Sequence, residues 1–426
     1  MFTVTEDMDP NKNDAQARSA RTPVSRGMPK VRTVDVCPVT RNGHALLALR
    51  DPLRLSDQTI LIPQRYAPVL ALCDGTRESS AVSAALAVRY GLWVSPAEIE
   101  RLLHSLDQAS LLENDRSAEA RQRALTEFHK APFRPLMDLG VSYPASPEDL
   151  NSFLLNYLVE AGDVAPSDTC RGIISPHIDY ARGGHVYAST WGRAAKAVRE
   201  AEIAIVLGTD HFGEDGTWTL TRQNYATPFG VLPTHQDAVS SLAAAIGEER
   251  AFEGELRHRS EHSIELAAIW LHFTRGRRPC ALVPILCGSF GHFFRGEGDP
   301  ASDEGVRKIT EVLRPLVASG NAIVVAAADL AHVGPAFGGA PLDLISRGRL
   351  QASDDELLQC ICAGDASGFY AAIRRVEDRN NICGASPIYL ALRLLDPAQG
   401  ERVAYYRCPA DTGNTSLVSI CGILLG

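Results

Sequence analysis

Residues 203–211 read IAIVLGTDH, and how this stretch is read decides the fold. Five apolar residues stand in a row with no polar alternation. A strand made from them is covered on both faces, as in a parallel sheet packed between helices. The run stops at Gly208, and Thr209, Asp210 and His211 follow at once. The same arrangement recurs on either side. The run 172–175 leads into Pro176-His177, and 322–327 leads through Ala328 to Asp329-Leu330-Ala331-His332. Further apolar runs at 281–286 and 417–425 alternate with amphipathic helical stretches. The expected fold is α/β, with three α/β/α layers. Ligands bind at the carboxyl ends of strands in such sheets. A lone buried histidine is usually a hydrogen-bonded core residue, but three strands that each end in one predict a cluster of His177, His211 and His332.

The bulk composition bounds the function. The chain has 426 residues, 45% hydrophobic and 22% charged, a globular balance with room for two or three domains. A net charge of −9 argues against general nucleic-acid binding, which needs a basic footprint. No run approaches the ~20 apolar residues of a membrane span, and the N-terminus lacks the apolar core of a signal peptide. A cytoplasmic protein without a membrane or nucleic-acid partner is expected. The ten cysteines include no CxxC pair, so most are read as small buried hydrophobes in a reducing compartment.

Residues 1–30 are polar and aperiodic and are expected to be a disordered tail. Residues 31–115 read as a small α+β domain: short strands, then helices at 65–72, 80–90 and from Ser95, where Ser95-Pro96-Ala97-Glu98 has the form of a capping box. Strand followed by three helices fits a winged helix. The third helix and its end carry Glu98, Glu100, Asp107 and Glu113 against Arg101, a charge that repels phosphate. With LCDGT (72–76) and LLHSLDQASLLE (102–113), this domain resembles the peptide-binding winged-helix modules of the PqqD type. Residues 116–132 are read as a linker or solvated helix.

The second unit, 133–426, opens with a helix signalled by Ser146-Pro147-Glu148-Asp149 and the stripe Leu150, Phe153, Leu154 and Leu158. Residues 288–305 are Gly- and Asp-rich and read as a surface loop. Ser260-Glu261-His262-Ser263-Ile264-Glu265 begins a helix with His262 and Glu265 one turn apart. Cys383, beside Gly384, precedes another helix, whose N-terminus favours a thiolate able to bind metal.

Six segments in order carry a resemblance: SYPASPEDL (142–150), PHIDYARGG (176–184), LGTDH (207–211), EHSIE (261–265), DLAH (329–332) and CGASPI (383–388). Over residues 133–426 the chain resembles the Memo family, called AmmeMemoRadiSam system protein B in bacteria and archaea. That family is similar in fold to class III extradiol dioxygenases of the LigB type. The resemblance implies metal ligands at His177, His211 and Cys383, with Asp329 and His332 close to the metal and Glu261, His262 and Glu265 lining the same cleft. It also implies a radical-SAM-associated system as partner. The chain departs from the family pattern at Asp179, Thr209, Asp210, Ala327 and Ala328, adding two carboxylates and removing two hydroxyls.

Two imidazoles and a thiolate suit one transition metal ion, Fe or Cu first and Zn next, with a coordination position left open. Asp179, Asp210, Tyr180 and Glu261 are expected around the ligands. His332 and His262, with Asp329 and Glu265, are the expected proton-transfer and catalytic groups. Two functions fit: a metal-dependent redox enzyme acting on a small aromatic or peptidic substrate, or a non-catalytic peptide- or phosphopeptide-binding protein that keeps fold and metal. Within PHIDYARGGH, Gly183 and Gly184 are expected to turn the chain into a helix, and His185 to be structural or on the surface.

Overall fold

The computed structural model describes residues 28–137, 139–162 and 165–426. Most of the expected tail, residues 1–27, lies outside them. The chain divides into two compact units, Met1–Lys130 and Ala131–Gly426.

The first unit has an antiparallel sheet of β1 (Asp35–Arg41), β2 (His44–Arg50) and β3 (Ile60–Pro63). Helices Ala67–Leu72, Ser79–Tyr90, Pro96–Gln108 and Asp115–Lys130 follow. The start of the helix expected over 65–72 is a 3-10 turn, Gln64–Tyr66. The capping box forms: Ser95 accepts from Glu98 N, and the Glu98 side chain accepts from Ser95 N. Ile99, Leu102, Leu103 and Leu106 then face a core shared with Leu49, Ile62, Val82 and Leu86. Residues 116–130, read as linker or solvated helix, are helical, and bury Ala120, Ala124 and Phe128.

The second unit is built on one mixed sheet. Its strands are β4 (Gly172–Ser175), β5 (Ile203–Thr209), β6 (Trp218–Leu220), β9 (Ala281–Cys287), β10 (Ala322–Ala327), β11 (His332–Val333), β12 (Gly400–Pro409) and β13 (Leu417–Leu425). A separate pair is formed by β7 (Tyr225–Thr227) and β8 (Gly230–Leu232). The sheet order is β11-β13-β4-β10-β5-β9-β6, with β12 on β13. The inner strands β4, β10, β5 and β9 are parallel, and β13 and β6 run antiparallel to their neighbours.

Period-two alternation divides each inner strand between two cores. Ile174, Ile205, Leu207, Val283, Ile285, Val324 and Ala326 pack on one face. Ile173, Ala204, Val206, Leu282, Ile323 and Val325 pack on the other. Helices cover both faces, which accounts for the uninterrupted apolar strands. Helices Glu304–Ala318 and Ala385–Leu395 lie on the first face, and Tyr180–Arg193 and Ser263–Thr274 on the second.

Two expectations need correction. The stretch 288–305 contains helix Gly291–Phe294 and buries Phe290, Phe293 and Phe294, because its aromatic residues insert into the core. Gly183 and Gly184 do not turn the chain; they lie inside helix Tyr180–Arg193. A Cβ at Gly183 would meet Ile178 at 2.5 Å, and one at Gly184 would meet the Tyr157 ring at 2.3 Å. Close packing is therefore the reason for both. Among the described residues no helix is long and apolar enough to cross a membrane.

Candidate metal centre

Strand register brings the site together. Ala327 is level with Ser175 on one side and Gly208 on the other, so three strands end together. Beyond β4, His177 N donates to Asp329 Oδ1 (2.9 Å), and His177 Nδ1 lies 3.0 Å from the Ala327 carbonyl. A ring nitrogen facing a carbonyl carries the proton, so Nε2 is left as the ligating atom.

Beyond β5, His211 places both its backbone N (3.1 Å) and its Nδ1 (3.0 Å) on Glu261 Oε2. The other carboxylate oxygen takes His262: its backbone N lies 2.8 Å and its Nδ1 3.1 Å from Glu261 Oε1. Ser263 N adds a fifth donor at 3.0 Å. One buried carboxylate thus holds two imidazoles by the same nitrogen. The approach depends on Gly208, where a Cβ would meet Ile264 at 2.5 Å and Ser263 Oγ at 2.6 Å.

The three rings stand close: His177 is 5.0 Å from His211 and 5.5 Å from His262, nearly perpendicular to both, and His211 and His262 are 5.0 Å apart and stacked. One nitrogen from each lies within 4.8 Å of the other two. Cys383 Sγ is 3.4 Å from His177 Nε2. Bonds of about 2.0 Å to nitrogen and 2.3 Å to sulfur at a tetrahedral angle separate two donors by roughly 3.5 Å, so this pair is already spaced for one ion. Gly384 lets the thiol in, since a Cβ there would meet the Asp329 carbonyl at 2.4 Å and Ala328 Cβ at 2.5 Å. An alanine at 328 suits that approach.

The surroundings set the charges. Burial works against the Glu261 carboxylate, but His211 and His262 hold it well below the usual carboxylate range. Burial, together with the neighbouring His211 and His262, drives the His177 imidazole well below its ordinary value, so it is neutral. Burial lowers His332 to about 4 against the pull of Asp329. Burial raises Asp329, and burial with Asp329 beside it pushes the Cys383 thiol well up.

A cleft of about 310 Å³ opens over the cluster, lined by His177, His211, His262, Asp329, His332, Asp179, Arg182 and Ser142 with apolar Ile178, Leu266, Phe337 and Val418. His332 lies in this lining, edge-on to Phe337 at 5.1 Å, outside the three-imidazole group. Glu265, Asp210 and Tyr180 lie outside this lining. Glu265 is fully buried in an ion pair with Arg134, and also accepts from Tyr143 OH and Met137 N. Asp210 pairs with Arg257 at 2.7 Å. Tyr180 donates to the Leu266 carbonyl. Asp179 does line the cleft, where it caps helix Tyr180–Arg193 and pairs with Arg182, and His185 packs on Tyr406. Arg134, Arg257 and the Ala327 carbonyl are missed by sequence reasoning. Arg182, three residues after Asp179 on a helix, could have been found from spacing alone.

The fold and site define a three-layer α/β protein whose histidine cluster sits on the carboxyl edge of its parallel strands. Residues 134–422 match the family described as Memo-like protein, so the chain belongs to the Memo family. It is 27% identical over 316 residues to a MEMO1 family protein of Aquifex aeolicus, covering 73% of this chain and 77% of that one. A MEMO1 family protein of Thermus thermophilus is 28% identical over 318 residues (74% and 90% covered). The protein memo-1 homolog of Caenorhabditis elegans is 25% identical over 261 residues (60% and 69%).

Proposed function

We propose that this Memo-family chain holds one transition metal ion at the histidine cluster and acts as a redox enzyme on a small molecule or peptide in the cleft above it. The observation that carries this reading is that three imidazoles, each with Nδ1 on an oxygen acceptor, bring one ligand atom apiece within 4.8 Å of one another, with the Cys383 thiol 3.4 Å from His177 Nε2. An all-nitrogen-and-sulfur donor set selects Fe, Cu or Zn over the hard cations. His177, His211 and Cys383 are the proposed ligands, with His262 as the further imidazole in reach.

A bound iron or copper ion would supply an electron-exchanging Lewis acid beside the cleft. The chain's own groups do the rest. Glu261 fixes the tautomer and direction of His211 and His262. His332 directs Nδ1 toward the Leu330 carbonyl at 3.2 Å, so as a neutral imidazole it accepts a substrate proton at Nε2. Asp329 holds the backbone of His177 and stabilises the charge His332 acquires. Ile178, Leu266, Phe337 and Val418 limit water.

The test is metal analysis of anaerobically purified wild type beside His177→Ala, His262→Ala and Cys383→Ala. Wild type is expected near one ion per chain, with His177→Ala and Cys383→Ala depleted. Equal sub-stoichiometric metal in all four would defeat the reading. We propose further that the first unit is a PqqD-like, winged-helix peptide-binding module serving a radical-SAM-associated system in the cytoplasm, and that the second has a LigB-like fold. The acidic helix Pro96–Gln108 supports peptide over nucleic acid.

A further inference from the structure

The cleft lining contains one permanently cationic side chain, Arg182, on the first turn of helix Tyr180–Arg193. Asp179 decides how that side chain stands. Asp179 Oδ1 accepts from Arg182 N at 3.0 Å, closing the helix cap. Oδ2 accepts from Arg182 Nε and lies 2.6 Å from Nη2. Both oxygens are thus occupied by Arg182, and neither serves an imidazole. The guanidinium is held by one edge. Nη1 has no hydrogen-bond partner among the described residues, and the side chain is 41% exposed.

The lining also holds the carboxylate of Asp179, 30% exposed, with both oxygens turned to Arg182. Asp329 is fully buried and turned to His177, with Oδ1 on the His177 backbone N at 2.9 Å. Ile178, Phe337 and Val418 add an apolar wall. A volume of about 310 Å³ is at the lower end of small-molecule sites, enough for a single-ring compound. A planar guanidinium fixed along one edge presents its other N–H groups in a geometry matched to a carboxylate.

We propose that Arg182 is the anion-recognition residue of the cleft, that Asp179 is its positioning residue, and that the ligand is a small carboxylic acid with a ring-sized apolar body. Its carboxylate meets the free Arg182 N–H groups at the mouth, and its body lies along Ile178, Phe337 and Val418 toward the histidines. This inference rests on the reading that the cleft over the cluster is the substrate site, but it does not depend on which metal is bound.

The experiment is calorimetric titration of the full-length, metal-analysed protein with phenylacetate, its neutral analogue phenylacetamide, and phenyl phosphate. Wild type is expected to bind phenylacetate at least tenfold more tightly than the amide. Arg182→Gln should lose that preference about tenfold with its metal content unchanged, and Arg182→Lys should keep part of it. Equal binding of acid and amide by wild type, binding of neither, or a preference that survives Arg182→Gln overturns the proposal. Phenyl phosphate binding tenfold more tightly than phenylacetate overturns the carboxylate class. An acid preference that follows Arg182 in protein free of metal defeats the metal reading alone.

Discussion

Glu261 and Glu265 stand four residues apart at the start of one helix, and both are buried. Their surroundings differ in kind. Glu265 meets a guanidinium, a phenol and a backbone N–H, all acting to keep it charged and still. Glu261 meets two imidazoles and three backbone N–H groups, and both imidazoles belong to the three-histidine cluster. The first arrangement closes on itself and holds Arg134 to the domain. The second points outward and builds a site. A third buried carboxylate, Asp354, takes the Tyr405 hydroxyl at 2.7 Å, and no ion pair reaches it among the described residues. Burial raises it to about 6 against that hydrogen bond.

The sharpest way to break this comparison is Glu265→Ala. It strands a buried Arg134 and is expected to destabilise the second unit by about 3–5 kcal/mol, read as a fall in the urea midpoint. Glu261→Gln should act on metal instead. Losing the charge behind two imidazoles is expected to weaken metal affinity about tenfold to a hundredfold, measured by competition with a chelator, with a smaller shift of the urea midpoint. If Glu261→Gln proves as destabilising as Glu265→Ala and leaves metal affinity intact, the contrast collapses.

Asp354→Asn tests the third case and has the opposite sign. A carboxyl whose folded pKa lies above its unfolded value binds its proton more tightly when folded. Its stabilisation is complete below about pH 4, fades as pH rises through about 6, and stays lost above. The asparagine variant should therefore be more stable than wild type at pH 7.5, by at most about 3 kcal/mol. The gain should vanish at pH 4, as thermal melts at the two pH values will show.

Strands were legible because burial on both faces writes itself as unbroken apolar runs, as in IAIVLG and AIVVAA. Their ends were legible for the same reason: His177, His211 and Asp329 follow the last apolar residue, and parallel register brings them level. What lay hidden were partners supplied from afar. Nothing near Glu265 points to Arg134, 131 residues away, and nothing near Asp210 points to Arg257. Carboxylates read as serving the metal were taken by arginines because a buried charge is satisfied most fully by a fork of N–H donors. The Phe residues within 290–294 were hidden differently, since a Gly- and Asp-rich stretch gave no periodicity from which to infer their burial.

The proximity of Cys383 to His177 carries a consequence for how the protein matures. The two residues are 206 positions apart, and β4, which delivers His177, is flanked by β10 and by β13 at the end of the chain. Contacts of such long sequence separation form late, after the entropy of closing the loop has been met. During synthesis the imidazoles can gather only when β10 has entered between β4 and β5, and the thiol arrives later still. Metal capture thus reports on the completed chain, and a fragment ending before β13 should leave the nascent centre unassembled.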